Sequence, residues 1–551
     1  MPGLHELHAD HDAFTNYRGF DDDDMANDEL TSFVDKGMLR EFDTYEECKA
    51  YLKGEPVESR FGVLERYKDG KLKRCVILDQ KMSDITKHTR RTHRLLLPRL
   101  TDVIHDTLDL SNELQNDELV EHFIIDIKDA FWLIPNHPQE RRYCVGRRRG
   151  KWIVYVRTPQ GSRGAPFSWG YVFSLVARCT QSLFPSSRLR LHVYVDDPLA
   201  IVRGPTNIRN RCIAIIIITW RALGFGLAYS KSMRGQKVVW IGHQIDISAE
   251  AVVITIKDSR TQEMEEMTLK LEKQNVTPFK ELRSYTGKAS SFASVLEPWR
   301  PFVQDLYGVL YSKDKEKSKA PPNCAWTAQF AHVLRWIKAF LFQQKGTLIR
   351  TFRIDAHFGR GDSVQMILDA SPWGLGGILK INSVVVSWYG SALTEHDSRI
   401  LKHKLGDADG QQTWESLNVL VALRTWKEHW MGVKAVLEVR ADNVTALTLL
   451  CKLKGSSPSL NIVAREVALD MGDCAYKPQI ITHVPGIAIK SADTLSRRYQ
   501  PRTPLFKLPE FLRDGQEAHL PKRDEKYYKA LNPPKVRLVP RELAQARMRE
   551  A

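Results

Sequence analysis

Short apolar runs bounded by charged or turn-forming residues mark the first half of this chain. Phe123-Ile124-Ile125 ends at Asp126 and reads as a buried strand. The segment LHVYVDDPLAIV, 191–202, is apolar on both sides of Asp196-Asp197 and reads as two short strands joined by an acidic turn. GVLERYKDGKLKRCVILDQ, 62–80, reads as strand, Asp69-Gly70 turn, strand. RTPQGSRGAPFSWG, 157–170, is a Gly- and Arg-rich loop leading into a helix. CIAIIIITW, 212–220, is too short to cross a bilayer and predicts a buried helix. Residues 258–275 and 277–296 read as helices, the second opened by Thr277-Pro278 as N-cap and first-turn pair and closed before Pro298. Lys280, Arg283 and Lys288 are spaced to form one basic side of it. SKDKEKSKAPPN, 312–323, reads as a linker, and 326–362 as a short connection.

The second half repeats one theme, a carboxylate where an element begins or ends. VQMILDASPWGLGGIL, 364–379, places Asp369 at the end of a strand, before a small-residue turn and another strand. QQTWESLNVLVAL, 411–423, places Glu415 on an amphipathic helix with apolar Leu417, Leu420 and Val421. Asp442 stands where a strand gives way to a helix, and Asp493 at a helix start. Taken singly, Asp442 and Asp493 read as helix caps more readily than as ligands, and Asp196-Asp197 as a solvated turn. Adjacent carboxylates repel one another, and a divalent cation relieves that repulsion.

Strand-Asp126, then a Gln160-Gly161 loop with Gly164-Ala165-Pro166, then Tyr194-Val195-Asp196-Asp197 resembles, in order and spacing, the palm of reverse transcriptases. The resemblance implies that Asp126 and Asp196 bridge two metal ions, Mg²⁺ or Mn²⁺, with Asp197 as the supporting carboxylate. It also implies that the backbone of Asp129 and Ala130 meets an incoming triphosphate. Phe131 matches the aromatic gate that excludes a ribose 2′-hydroxyl; otherwise it is an ordinary core aromatic. Gln160 matches a residue near the nucleotide sugar, Lys231 a lysine near the triphosphate, and Trp240-Ile241-Gly242 the hairpin that grips the primer end. In the fingers, Lys73 and Arg74 would face the triphosphate, although the basic residue is displaced by one position relative to Asp79; a solvated basic hairpin is the other reading. Arg147, Arg148 and Arg149 form a basic tip suited to template phosphates, or a solvated face.

Asp369, Glu415, Asp442 and Asp493 together resemble the four-carboxylate cluster of an RNase H domain, again holding two metals. One position departs from that pattern: Ile487 follows Gly486 where many RNases H carry a His, and His483 precedes it. SRGAPFSWG, DASPWGLGG and ADTLSR are similar to gypsy-type and DIRS-type retrotransposons. The implied fold class is an α+β polymerase right hand followed by an α/β RNase H-like domain. The implied division is an acidic leader (1–28), fingers and palm (29–257), a thumb-like helical region (258–311), linker and connection (312–362), the RNase H-like domain (363–497) and a basic, Pro-rich tail (498–551). The implied partners are an RNA template, a DNA primer, the RNA–DNA hybrid and dNTPs. The resemblance leaves open an active enzyme, a silent nucleic-acid-binding descendant, and an assembly subunit.

Composition fits a polyanionic partner. The 551 residues carry a net charge of +15. Residues 1–60 hold 16 Asp and Glu against 6 Lys and Arg, a net of −10, so the remainder carries +25. The 8 cysteines include no Cys-x-x-Cys pair, which argues against zinc fingers and a disulfide framework and for a reducing, intracellular setting, cytoplasmic or nuclear. No secretory signal or membrane span is expected. His5, His8 and His11, with Asp10 and Asp12, read as a polar leader or a metal set. The tail reads as a nucleic-acid-steering segment or a solvated remnant, with two short helices at its end.

Overall fold

The computed structural model describes residues 14–68, 71–90, 94–312, 319–472, 480–483, 490–502 and 506–536. The Asp69-Gly70 turn, the histidines of the leader, Gly486, Ile487, the side chains of Lys73 and His483, and the end of the tail lie outside what is described. Two compact units divide the chain, one of 1–98 with 115–235 and one of 99–114 with 236–551.

Among the described residues the first unit holds three small antiparallel sheets. Strands β1 (Leu39–Phe42), β5 (Val145–Arg148) and β6 (Lys151–Tyr155) form one, in the order β1-β6-β5. The hairpin β2 (Arg60–Lys68) and β3 (Lys71–Asp79) pairs from Arg60↔Asp79 to Lys68↔Lys71, as its alternating pattern predicts. The third sheet contains β4 (Leu119–Ile127), β7 (Leu189–Tyr194), β8 (Asp197–Gly204) and β9 (Leu227–Gly235), in the order β7-β8-β4-β9. Helices Ala165–Gln181 and Thr206–Ala222 pack on it through Trp169, Phe173, Ile213, Ile216 and Trp220. Apolar burial of this kind stabilises by about 1.5–3 kcal/mol per large side chain. The helix expected in 212–220 is thus present but one-sided, since Ile218 stays exposed.

The acidic leader does not extend to residue 28. Helix Asp24–Asp35 is capped by Asp23, whose carboxylate accepts from the Ala26 N–H at 3.1 Å. Phe20, Ala26 and Leu30 join a core with Phe61, Val76 and Trp132. Apolar spacing inside an acidic stretch is enough to dock it.

The second unit begins with a four-stranded antiparallel sheet: β10 (Lys237–Trp240), β11 (His243–Ile247), β12 (Ala251–Ile256) and, from far along the chain, a strand at Ile349–Arg353. Residues 236–256, expected with the palm, therefore belong to this unit. Four helices, Asp258–Glu272, Phe279–Ala293, Arg300–Tyr311 and Ala331–Leu341, share one core containing Tyr285, Trp299, Phe302, Trp336 and Phe340. Helix Phe279–Ala293 does start after Thr277-Pro278, but Pro278 and not Thr277 holds the N-cap position, without a side-chain hydrogen bond. Val276–Pro278 is a short strand, β13, paired with β14 (Cys324–Trp326), and the buried Thr277 hydroxyl bonds that of Thr327 at 2.8 Å. The expected connection at 326–362 is likewise corrected: it supplies a core helix and the strand Ile349–Arg353, β15, because its apolar residues recur at core spacing.

The last sheet contains β16 (Asp362–Ala370), β17 (Gly374–Ile381), β18 (Val384–Ala392), β19 (Ala435–Ala441), β20 (Ile480–His483) and β21 (Gln516–Glu517). Its order is β20-β19-β16-β17-β18-β21, antiparallel from β16 to β18 and parallel where β19 meets β16 and β20. Helix Gln411–Thr425 is buried on every side from Thr413 to Leu423, rather than amphipathic, because it lies between the sheet and helix Pro458–Met471.

The described tail residues between 506 and 532 form a strap packed at several points rather than a solvated remnant. β21 adds to the sheet edge beside Ser387 and Trp388. Arg523 Nε and the Tyr528 hydroxyl both donate to the fully buried Asp397, at 2.8 and 2.7 Å. The Ala530 N–H donates to Glu466 at 2.6 Å, and the Ala530 carbonyl accepts from the Trp336 indole at 2.9 Å. The strap thereby joins the helical core to the last sheet.

Candidate active sites

In the first unit, β7 and β8 pair to Tyr194↔Asp197, leaving Val195-Asp196 as a two-residue turn. Val195 has φ +56°, an unfavourable conformation for a β-branched residue. Its carbonyl is held by the Trp169 indole N–H at 2.8 Å. Trp169 stacks on Phe173 at 4.9 Å and meets Phe225 edge-on, so the SRGAPFSWG motif anchors the acidic turn from a rigid helix. The β4–β8 register runs from Leu119↔Gly204 to Ile124↔Leu199, and two further residues bring Asp126 level with Asp197. The expected carboxylates thus share one end of one sheet. The Asp196 carboxyl is pushed above its ordinary range by burial and by the nearby charge of Asp126, against lowering by a backbone hydrogen bond and by Lys231. Lys231 itself forms an ion pair with Asp126.

The surrounding residues fall in two groups. Asp129 takes a left-handed conformation, φ +53°, and opens a 3-10 turn over Ala130–Leu133. Ala130 is buried and Phe131 half-buried against the sheet core. Gln160 accepts from the Cys75 thiol at 3.0 Å, which ties the loop to the β2–β3 hairpin. The arginines, by contrast, are engaged by carboxylates. Arg74 pairs with Asp23 and Glu65, Arg147 with Glu58, Arg148 with Glu41 and Arg149 with Asp24. As a phosphate-ready basic tip the RRRGK segment is therefore largely neutralised, chiefly by acidic residues of the first sixty.

In the second unit, Trp240 and His243 pair across a turn with Ile241 at φ +39° and Gly242 at φ +80°. Trp240 is 2% exposed and packs in the core beneath the turn. Glycine suits position 242 because its φ of +80° is one that L side chains rarely adopt; the Arg260 guanidinium nearby donates to the Ile241 carbonyl at 3.1 Å.

The second constellation is tighter. β16 and β19 run parallel from Asp362↔Ala435 to Ile367↔Arg440, and two more residues set Asp442 beside Asp369. Helix Gln411–Thr425 brings Glu415 over them. It is locked to β16 by Asn418, whose amide donates to the carbonyls of Asp369 at 2.7 Å and Gly376 at 2.9 Å. Asp442 is not a helix cap: Asn443 performs that role, accepting from the Ala446 N–H at 3.1 Å. Among the described residues, Asp369, Glu415 and Asp442 are the one group of three or more whose ligand atoms lie within 4.8 Å of one another. The Asp126, Asp196 and Asp197 set is not gathered to that distance. Asp493, in the first turn of helix Lys490–Ser496, pairs with Arg497 at 2.6 Å and stands outside the trio.

Burial pushes the Asp369 carboxyl up to about 7, with Ser496 opposing and the charges of Asp493 and Asp442 adding. Burial and the charges of Asp369 and Asp442 hold Glu415 well above the usual carboxylate range. Glu415 Oε1 accepts from Gln411 at 2.9 Å, while its buried Oε2 has no hydrogen-bond partner among the described residues. Three converging carboxylates with an orphaned acceptor are the hard oxygen set that suits Mg²⁺ or Mn²⁺.

No protein-family model matches the chain, and no curated protein matches it. Among solved structures it is similar to a foamy viral protease-reverse transcriptase in complex with double-stranded DNA, at 15% identity and a TM-score of 0.43, over 82% of this chain and 67% of that one. A second foamy viral protease-reverse transcriptase with dsDNA gives 15% identity and 0.43, over 79% and 77%. A foamy viral protease-reverse transcriptase in complex with an RNA/DNA hybrid gives 14% and 0.40, over 90% and 57%.

Sequence reasoning missed the residues that hold the carboxylates. Gln411 bridges Glu415 and the Ala370 carbonyl, and Ser496 donates to Asp369 at 2.7 Å. Both lie within a few positions of a predicted carboxylate, yet a polar residue at a helix end, Gln411 at a start and Ser496 at a finish, carries no signal that distinguishes a positioning role from a cap. Trp169 was equally silent, because an aromatic at helical spacing reads as core.

Proposed function

We propose that this chain is an RNA-directed DNA polymerase with a linked ribonuclease H activity, from a retrotransposon of gypsy or DIRS type. The observation that carries the reading is the repeated register: in each unit, neighbouring strands end level on paired aspartates, Asp126 with Asp197 and Asp369 with Asp442, in the order polymerase then nuclease. The fold class is then a fingers–palm–thumb hand followed by an RNase H-like domain, whose mixed sheet has its two aspartates on adjacent central strands.

Asp126 and Asp196, supported by Asp197, would hold one pair of divalent ions, and Asp369, Glu415, Asp442 and Asp493 the other. Such ions lower the pKa of a bound hydroxyl or water and neutralise the leaving oxygen. Around the first site the Asp129-Ala130 backbone meets the dNTP triphosphate, Phe131 closes on the sugar edge and excludes a 2′-hydroxyl, and Gln160 orients the sugar. Around the second, Gln411 and Ser496 orient the carboxylates that take the hybrid's RNA strand.

Extension of a DNA primer on an RNA template labelled at its 5′ end, with Mg²⁺ or Mn²⁺, tests both activities at once. Extension with template shortening is expected. Neither, from folded protein that still binds the hybrid, overturns the reading in favour of a silent nucleic-acid-binding descendant.

A further inference from the structure

The β4–β9 ladder contains an unusual step. It pairs Ile124 with Met233 and then Asp126 with Ala228, so one residue of β4, Ile125, is opposed by four of β9, Tyr229 to Ser232. An ordinary bulge sets two residues against one and re-aims a side chain. This larger one is closed by its own hydrogen bond, from the Ser232 hydroxyl to the Tyr229 carbonyl at 2.7 Å. At its crest is Lys231, whose ammonium rests on Asp126 Oδ2. The lysine side chain is 62% exposed and the aspartate 24%, so the pair sits at the solvent edge and Lys231 has room to leave.

From this geometry we infer that Lys231 is a built-in rival for the metal at Asp126, its ammonium taking the carboxylate oxygen that a divalent cation uses. This rests on the polymerase reading of the same site. Were a divalent cation held at Asp126, Lys231 would leave the carboxylate, and its ammonium would be free to meet an anionic group such as a nucleoside triphosphate. The bulge makes the exchange local, since Lys231 pivots on a segment outside the ladder and no strand pairing breaks. A charge pair this exposed is weak, which suits a placeholder. Removing its competition should strengthen metal binding by about two- to fivefold.

The test is Mn²⁺ binding, read from the electron paramagnetic resonance of free Mn²⁺, on the full chain carrying Glu415→Gln to weaken the second site. The component lost with Asp196→Asn defines binding at the first site. Lys231→Met and Lys231→Gln are expected to tighten that component about two- to fivefold, and Lys231→Arg to leave it near the parent value. Unchanged or weaker binding in both neutral variants overturns the competition, as does equal tightening by Lys231→Arg. If Asp196→Asn removes no Mn²⁺ binding, the first site holds no metal, and the polymerase reading falls together with this inference.

Discussion

Single side chains decide whether the acidic clusters are ligand sets or ordinary surface. At Asp369 the burial that pushes the carboxyl up to about 7, from 3.8, makes a pH prediction. A raised acid favours the folded state most when protonated. Its contribution is complete below about pH 4 and is lost as pH rises through about 7. In chelator, thermal stability of the second unit should therefore fall between pH 5 and pH 8, and Asp369→Asn should flatten that slope. Added Mg²⁺ should raise the melting temperature at pH 8 and do little at pH 5; equal shifts at both would contradict a metal held by ionised carboxylates. Ser496→Ala, which removes a donor to Asp369, should lower RNA cleavage by about 10–100-fold while DNA synthesis is unaffected. Phe131→Val should raise ribonucleotide incorporation in primer extension, and unchanged sugar selectivity would return Phe131 to the core alone.

At the scale of elements, the carboxylates were legible because each stands at a boundary that periodicity reveals. Asp126 follows an apolar run, Asp196 interrupts one, and Asp369 ends one. What periodicity did not reveal is what an element packs against. The helix of Glu415 shows a face of Leu417, Leu420 and Val421, yet is buried all round. Thr277-Pro278 has the composition of a helix start and does precede one, yet it also pairs as a strand because residues nearly fifty positions later supply its partner. The tail looked solvated by composition, and its Arg523 is buried on Asp397. This last element carries a prediction. Arg523→Ala should destabilise the second unit by about 3–5 kcal/mol, measured by urea unfolding, because it leaves a buried carboxylate unpaired. Removal of residues from 506 onward should be at least as damaging.

For the whole molecule, charge and division of labour are the relevant quantities. The net +15 is not delivered by the obvious arginine run, since Arg147, Arg148 and Arg149 are paired within their own unit. Hybrid binding should still weaken steeply with salt, through released counterions, but neutralising those three arginines should change the slope of log K against log salt by less than one per residue. Two separate acidic sites predict separable losses. Asp196→Asn should abolish DNA synthesis and spare RNA cleavage, Asp442→Asn should do the reverse, and loss of both in either variant would indicate one coupled site.

By itself the sequence determined where the strands end, which carboxylates stand at those ends and in what order, because local apolar periodicity and residue chemistry are properties of neighbours along the chain. Only the tertiary structure decided which carboxylates meet. Strand register joins Asp369 to Asp442, and a buried helix adds Glu415. It also decided that the arginine tip is neutralised and that Lys231 reaches Asp126 over a bulge. These are contacts between residues tens to hundreds of positions apart, set by packing and pairing that no local pattern encodes.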